Sequence, residues 1–234
     1  MTSALVHRHQ QRHHARMIAT HAQSLANAAE HLCDDEIHVW QLDYRPQHGR
    51  GPLRTVLGAY LGIDADRVAL IDGEYGRPAL ADAHDSSLGF NWSHSGEHAL
   101  IAIGRRITPG IDLERRRARP RALEIAERYF SADETAALTA LPAAARDAAF
   151  LELWTAKEAV LKALGRGLAF GLDRLSIAST ADRLTLQRLE GDAANAWQLQ
   201  RLAVDPTLVA ALAWRGGARR IRLLPSLGML ASGD

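Results

Sequence analysis

Two carboxylates one residue apart, Asp112 and Glu114 in "GIDLE", sit where the alternation of a strand sends both to one face and Ile111 and Leu113 to the other. Two such charges ~4 Å apart interact at about 4 kcal/mol at an effective dielectric of ~20, so a converging pair calls for a cation or a proton. A third acid, Glu158, lies in "FLELWTAKEAVLKALGRGL", residues 150–168. Read as a helix, this segment has an apolar side through Phe150, Leu153, Trp154, Val160, Leu161 and Leu164. Lys157 falls near the middle of that side, while Glu158 and Lys162, four apart, can reach each other at its margin. If the three acids meet, an oxygen-only ligand set completed by phosphate and water suits magnesium, with manganese as the second candidate ion. The lack of nearby Cys argues against zinc.

The opposite wall of such a cleft would come from "FNWSHSGEH", with Ser93 and His94 at a strand end. No G-x-S-x-G elbow surrounds Ser93, and its hydroxyl is better suited to bonding a phosphate. Arg45, Arg50, Arg54 and Arg77 could add anion contacts. Each feature also has a plain structural reading. Acids on a strand face are often only solvated, a Ser-His pair can close a turn, single arginines solubilise, and the Lys157 stem can pack while its amine snorkels to water. All eleven histidines lie at or before His98, which removes any HExxH reading. "GRGLAFG" follows a helix instead of leading from a strand into one, and no Walker A sequence occurs, so Gly165 and Gly167 read first as a helix stop.

The elements that must position these residues come in two similar runs. "EIHVWQLDY" alternates as a half-buried strand, and "PLRTVLGAYLG" is an amphipathic helix that Pro52 opens and Gly62 closes. The strand-like runs "RVALID", "LGFNWS" and "HALIAIG" follow. After "RRITPG" the order begins again with "GIDLE", two helices, the 150–168 helix and the runs "RLSIAS", "RLTLQRL", "WQLQRLA" and "LVAALAW". The expected fold is α+β, with two similar lobes packed across a cleft at their seam. Residues 1–30 are set aside as a polar, poorly ordered extension, 31–108 form the first lobe and 109–234 the second. "FSADE" reads as a capping box, Ser131 with Glu134, and the arginine run "ERRRARPR" as a solvated loop.

Bulk properties bound the class. The chain has 234 residues, 47% of them hydrophobic and 24% charged, with 28 Lys and Arg against 27 Asp and Glu, so there is no basic excess to advertise nucleic acid. One cysteine, Cys33, cannot form an internal disulfide or a thiolate zinc site, which fits a reducing compartment and a cytoplasmic location. No run approaches a membrane span, and the N-terminus lacks the apolar region of a secretory signal.

Taken in order, "YGRPAL", "FNWSHS", "GIDLE", "FSADE" and "WTAKEAVLKALGRGL" resemble the 4′-phosphopantetheinyl transferases of the two-lobed, surfactin-synthetase-activating (Sfp) type, over about residues 37–175. The resemblance implies a pseudo-twofold monomer that moves the phosphopantetheine arm of coenzyme A to a serine of an apo carrier protein, releasing 3′,5′-ADP, with Mg2+ at the lobe interface. It implies Asp112, Glu114 and Glu158 as metal ligands. Ser93 and His94 become coenzyme A phosphate contacts, and Lys157 and Lys162 the lysines of the family's "KE...K" pattern. Arg45, Arg54 and Arg50 would serve the adenosine 3′-phosphate end, and Arg77 replaces a lysine often found before the proline. The family's helix after the first arginine is broken here by Pro46, Gly49, Gly51 and Pro52, which changes the aim of Arg45 and Arg50. In the implied mechanism Glu158 takes the serine proton, directly or through water. Lys162 stabilises or protonates the departing phosphate, His94 assists, and Lys157 faces phosphate at the seam. Two other classes fit parts of the pattern: a metal-independent coenzyme A acyltransferase, and a basic module binding nucleic acid through "RRRARPR" and the N-terminal Arg/His tract.

Overall fold

The computed structural model describes residues 22–227. Helix α1 covers residues 22–30, within the stretch expected to be a poorly ordered extension. It sets Leu25, 3% exposed, into the first core, so the extension expected over 1–30 is corrected from residue 22 onward. The remainder of that stretch, with its histidines, lies outside the described residues.

Strand β1 (Glu36–Asp43), the hairpin β4 (Leu88–Ser95) and β5 (His98–Arg105), and the last strand β11 (Arg220–Leu227) build a four-stranded sheet of order β11-β1-β5-β4. Helix α2 (Gly51–Leu61) packs Leu53, Val56 and Leu57 on it, and Gly62 ends the helix in the left-handed conformation. A small hairpin, β2 (Leu70–Asp72) and β3 (Pro78–Leu80), carries the chain toward β4.

After Arg105 the chain changes sheet. Strand β6 (Gly110–Arg115) pairs with β10 (Leu208–Arg215), which pairs with β9 (Trp197–Arg201). Helices α3 (Ala122–Tyr129), α4 (Ala132–Ala140) and α5 (Ala143–Leu164) and the hairpin β7 (Leu175–Ser179) and β8 (Leu184–Leu189) complete this half. Helix α4 opens with the expected capping box of Ser131 and Glu134. Helix α5 lies on β6 and β10, and Gly110 makes this possible: a Cβ there would stand 2.0 Å from the Ala159 carbonyl oxygen and 2.3 Å from the Ala163 nitrogen. A larger residue cannot bring β6 this close to the helix.

The last strand, β11 (Arg220–Leu227), does not stay with the second sheet. It returns to pair in parallel with β1, Glu36 opposite Arg220 and Val39 opposite Leu223. The expected assignment of everything from 109 onward to a second lobe is therefore corrected for β11. A buried polar chain adds to this closure: the Trp40 indole donates to Tyr60 Oη (2.9 Å), His38 Nδ1 meets the same oxygen (2.8 Å), His38 Nε2 meets Glu36 (3.3 Å), and Arg220 reaches Glu36 at 3.0 Å. Burial holds the imidazole of His38 below its ordinary pKa.

Three cores result. One lies under α2, one among α3, α4, α5 and β7 to β10, and the third unites the two sheets through Ile37, Val39 and Leu100 against Ile111, Leu212 and Trp214. Among the described residues, no helix is long and apolar enough to cross a membrane.

Candidate active site

Strands β4 and β6 run side by side but belong to different sheets, and side chains take the place of a backbone ladder between them. Asn91 Oδ1 accepts from the Ile111 amide (2.9 Å), Ser93 Oγ from Leu113 (3.3 Å) and Ser95 Oγ from Arg115 (3.2 Å). Every second residue of β4 thus satisfies every second N–H of β6, which would otherwise be left unpaired between the strands. Spacing by side chains opens a gap, and the gap is the floor of a cleft of about 390 Å³ lined by Arg77, Ser93, His94, Asp112, Glu158 and Lys162 among others.

The three acids expected to converge do share this cleft: Asp112 and Glu114 come from β6 and Glu158 from α5. Lys162, one turn after Glu158, donates to Asp112 Oδ1 (2.7 Å) and Ser93 Oγ (3.0 Å), so it pairs across the cleft with β6 rather than along its own helix. Glu114 is held by Arg119 at 3.1 Å, a residue of the run expected to be merely solvated. Burial pushes Glu114 up, with Asp112 adding to the effect and Arg119 opposing it. Glu158 is pushed up to about 7, first by burial and then by Asp112, against Lys162.

Among the described residues, no three His, Cys, Asp or Glu side chains already form a metal-holding cluster. The donor set nevertheless fits a hard cation. Asp112 Oδ2 is buried without a hydrogen-bond partner, and Glu158 carries a charge that its surroundings resist. A divalent ion between them would satisfy the oxygen and remove the resistance.

The cationic wall is equally specific. Arg77 donates to the carbonyls of Phe90 (2.8 Å) and Pro109 (3.2 Å). Its Nε is buried with no partner, and among the described residues no carboxylate pairs with it. A desolvated guanidinium without a counter-ion, in the cleft that Lys162 also lines, is a place for an anion. His94 stacks on Tyr44 with ring centroids 4.6 Å apart, and partial burial together with Lys162 lowers its pKa.

Four residues depart from expectation: Lys157, Arg45, Arg50 and Arg54. Lys157 does not face the seam. Its ammonium is fully buried and spends its three protons on Leu172 O (2.8 Å), Leu175 O (2.7 Å) and Glu134 Oε2 (2.7 Å), with the Phe130 ring 4.9 Å away. Helix α5 is buried on two sides, and Lys157 turns into the second core, leaving Glu158 for the cleft. Ser93 does line the cleft, where its hydroxyl donates to Asp112 Oδ1 at 2.9 Å and accepts from Lys162 at 3.0 Å. Arg50 pairs with Asp72 at 2.5 Å and Arg54 donates to the Val68 carbonyl at 3.2 Å, while Arg45 is exposed before the turn that Pro46 begins. None of Arg45, Arg50 and Arg54 lines the cleft.

Sequence reasoning passed over Asn91, Ser95, Arg119 and Tyr75, the last at the cleft's rim. One signal was present for the lysines: of 28 Lys and Arg residues only Lys157 and Lys162 are lysine. A chain that otherwise uses arginine keeps a compact ammonium where three acceptors or a carboxylate and a hydroxyl must be met at close range. A larger groove of about 860 Å³ runs between α4, α5 and β7, but its Glu152 is already tied to Arg201 and Ser179. It presents no comparable opposition of charges.

The profile of the 4′-phosphopantetheinyl transferase superfamily matches residues 108–213, from the connection before β6 through most of β10. The 4′-phosphopantetheinyl transferase HetI of Nostoc sp. (strain PCC 7120) is 38% identical over 200 residues, 82% of this chain and 82% of its own length. The 4′-phosphopantetheinyl transferase psf-1 of Bacillus pumilus is 35% identical over 181 residues, 76% of this chain and 75% of its own. Sfp of Bacillus subtilis (strain 168) is 34% identical over 125 residues, 53% of this chain and 54% of its own. The chain belongs to the 4′-phosphopantetheinyl transferase family.

Proposed function

We propose that this protein transfers the 4′-phosphopantetheine arm of coenzyme A to a serine of an apo carrier protein, releasing 3′,5′-ADP. The observation that carries the reading is the meeting, in one cleft, of Asp112 from β6 with Glu158 and Lys162 from α5, opposite the unpaired guanidinium of Arg77. Acids that need a cation stand beside cations that need an anion, which is what a metal-bound diphosphate supplies.

Asp112, Glu114 and Glu158 would hold Mg2+. The bound ion would polarise the phosphorus under attack and neutralise the 5′-phosphate of the departing 3′,5′-ADP. Glu158, directly or through a water, accepts the proton of the incoming serine hydroxyl as the Oγ–P bond forms and the P–O bond to 3′,5′-ADP breaks. Lys162 carries the charge that develops on the departing oxygen. Arg77 and His94 orient the diphosphate from the opposite wall. The reading includes two pseudo-symmetric lobes, residues 31–108 and 109–219, with β11 crossing back to the first, and a cytoplasmic monomer.

The test is the mass of purified apo carrier proteins after incubation with coenzyme A, with and without magnesium chelation. A magnesium-dependent gain of one phosphopantetheine is expected, and Glu158→Gln should lower kcat by ~10²- to 10⁴-fold in a protein that still folds. Acyl transfer that persists under chelation, or full activity of the Gln variant, would overturn the reading.

A further inference from the structure

Arg77 and Lys162 are each held at the cleft by hydrogen bonds, but His94 is not. Among the described residues the imidazole hydrogen bonds belong to His31, His38 and His84, and neither ring nitrogen of His94 has a partner. An exposed imidazole at the end of a strand would ordinarily sample several rotamers. Two aromatic rings restrain it instead. Tyr44 stacks on His94 with centroids 4.6 Å apart and planes 28° from parallel, and Trp92, on the same face of β4, lies 5.3 Å away. Tyr44 and Trp92 also meet edge to face at 5.6 Å, so the three rings close on one another.

Tyr44 reaches this place from a distance. It follows β1, which β5 separates from β4, a span of about 10 Å between strand axes. Ala99 permits the crossing: β5 pairs it with Leu42 on one side and His94 on the other, and its methyl leaves room for a ring to lie across the row. The backbone of Tyr44 is fixed too. Its amide donates to the Glu97 carbonyl at 2.8 Å, and Arg45 after it is extended, φ −132° and ψ 138°, as a residue before proline should be. The break at Pro46, which changes the aim of Arg45, thus begins just past the residue that stacks on His94.

We propose that Tyr44, with Trp92, is a positioning residue for His94: the two rings hold the imidazole in one orientation at the cleft wall and leave both its nitrogens to the phosphates of coenzyme A, a role that rests on the functional reading above. Tyr44 acts through its ring. Its hydroxyl has no hydrogen-bond partner among the described residues, where the tyrosine hydroxyl bonds are those of Tyr60.

The test is a cycle of variants read by calorimetric titration of coenzyme A in magnesium. Loss of the stack in Tyr44→Leu should weaken binding ~2- to 12-fold, and Tyr44→Phe, which keeps the ring, should bind within about twofold of the parent. In a His94→Ala background Tyr44→Leu should cause no further loss, because its effect passes through the imidazole. With a carrier present, Tyr44→Leu should raise KM for coenzyme A while kcat stays within about threefold. A second readout needs no ligand. The ring protons of His94, assigned by their disappearance in His94→Ala, should move downfield in Tyr44→Leu as the stacked ring is removed, and stay in place in Tyr44→Phe. Should Tyr44→Leu not fold, Trp92→Leu, at the more exposed of the two rings, goes through the same cycle. A phenylalanine variant as weak as the leucine one would make the hydroxyl a ligand and overturn the proposal. Equal losses with and without His94, or unmoved His94 signals, would overturn it as well. Parent protein that binds coenzyme A yet modifies no carrier, with the cycle intact, would sink the transfer reading and leave the aromatic bracket standing.

Discussion

Glu158 and Lys157 are adjacent in sequence and opposite in fate. Glu158 faces the cleft, where burial and Asp112 push its carboxyl from 4.5 up to about 7. An acid whose pKa rises on folding contributes stability that is complete below its unfolded value and is lost as pH climbs through its folded one. In metal-free protein this loss falls between about pH 4.5 and 7 and is on the order of 3 kcal/mol. Glu158→Gln should therefore flatten the decline, being more stable than the parent at pH 8 in chelator and no more stable at pH 5. Magnesium should raise the parent's Tm at pH 8 and leave it nearly unmoved at pH 5, as scanning calorimetry would report. Lys157 makes the reverse case. Its ammonium is buried against Glu134 and two carbonyls, so removing the charge strands a buried carboxylate. Lys157→Met should cost about 3–5 kcal/mol in denaturant unfolding. Lys157→Arg should not restore it, since a planar fork does not match three acceptors around one nitrogen. In the folded fraction KM for coenzyme A should be unchanged, a result that a phosphate-binding lysine would contradict.

At the scale of elements, the site depends on how closely α5 can approach β6 and how widely β4 stands from it. Gly110 sets the first distance. Gly110→Ala places a methyl on the Ala159 carbonyl and must push the helix and strand apart, so it should lower stability by at least about 1–3 kcal/mol and reduce kcat together, measured by unfolding and steady-state assay. The second distance was not legible in the sequence. Asn91, Ser93 and Ser95 look like an ordinary alternation of polar residues until the strand that receives them is known, and that strand begins some twenty residues away. What could be read was local: the alternation in "GIDLE", the stop at Gly165, the cap at Ser131 and the helix carrying Glu158. The direction of Lys157 could not, because a helical wheel gives the face but not which of two adjoining cores it meets. Strand β11 was hidden too, since Pro225 and alternating arginines weaken a strand pattern that only an edge position tolerates.

The molecule as a whole is joined by apolar contact beneath the chemistry. Trp214 is fully buried in the core between the sheets, facing residues of β1, β5 and β6, so the two walls of the cleft cannot separate without exposing it. Trp214→Ala should cost about 3–5 kcal/mol and should do so in a single transition seen alike by circular dichroism and by intrinsic fluorescence. Two separate transitions would show that the halves unfold independently. The return of β11 to β1 has its own bearing on how the protein is made. While a ribosome is still synthesising the helices, β1 has an open edge on the side that Arg220–Leu227 will cover, and its first sheet must wait until that strand has been made before it can close. During that interval the nascent chain presents a sticky border to its neighbours, and crowded translation is where it would be most prone to self-association.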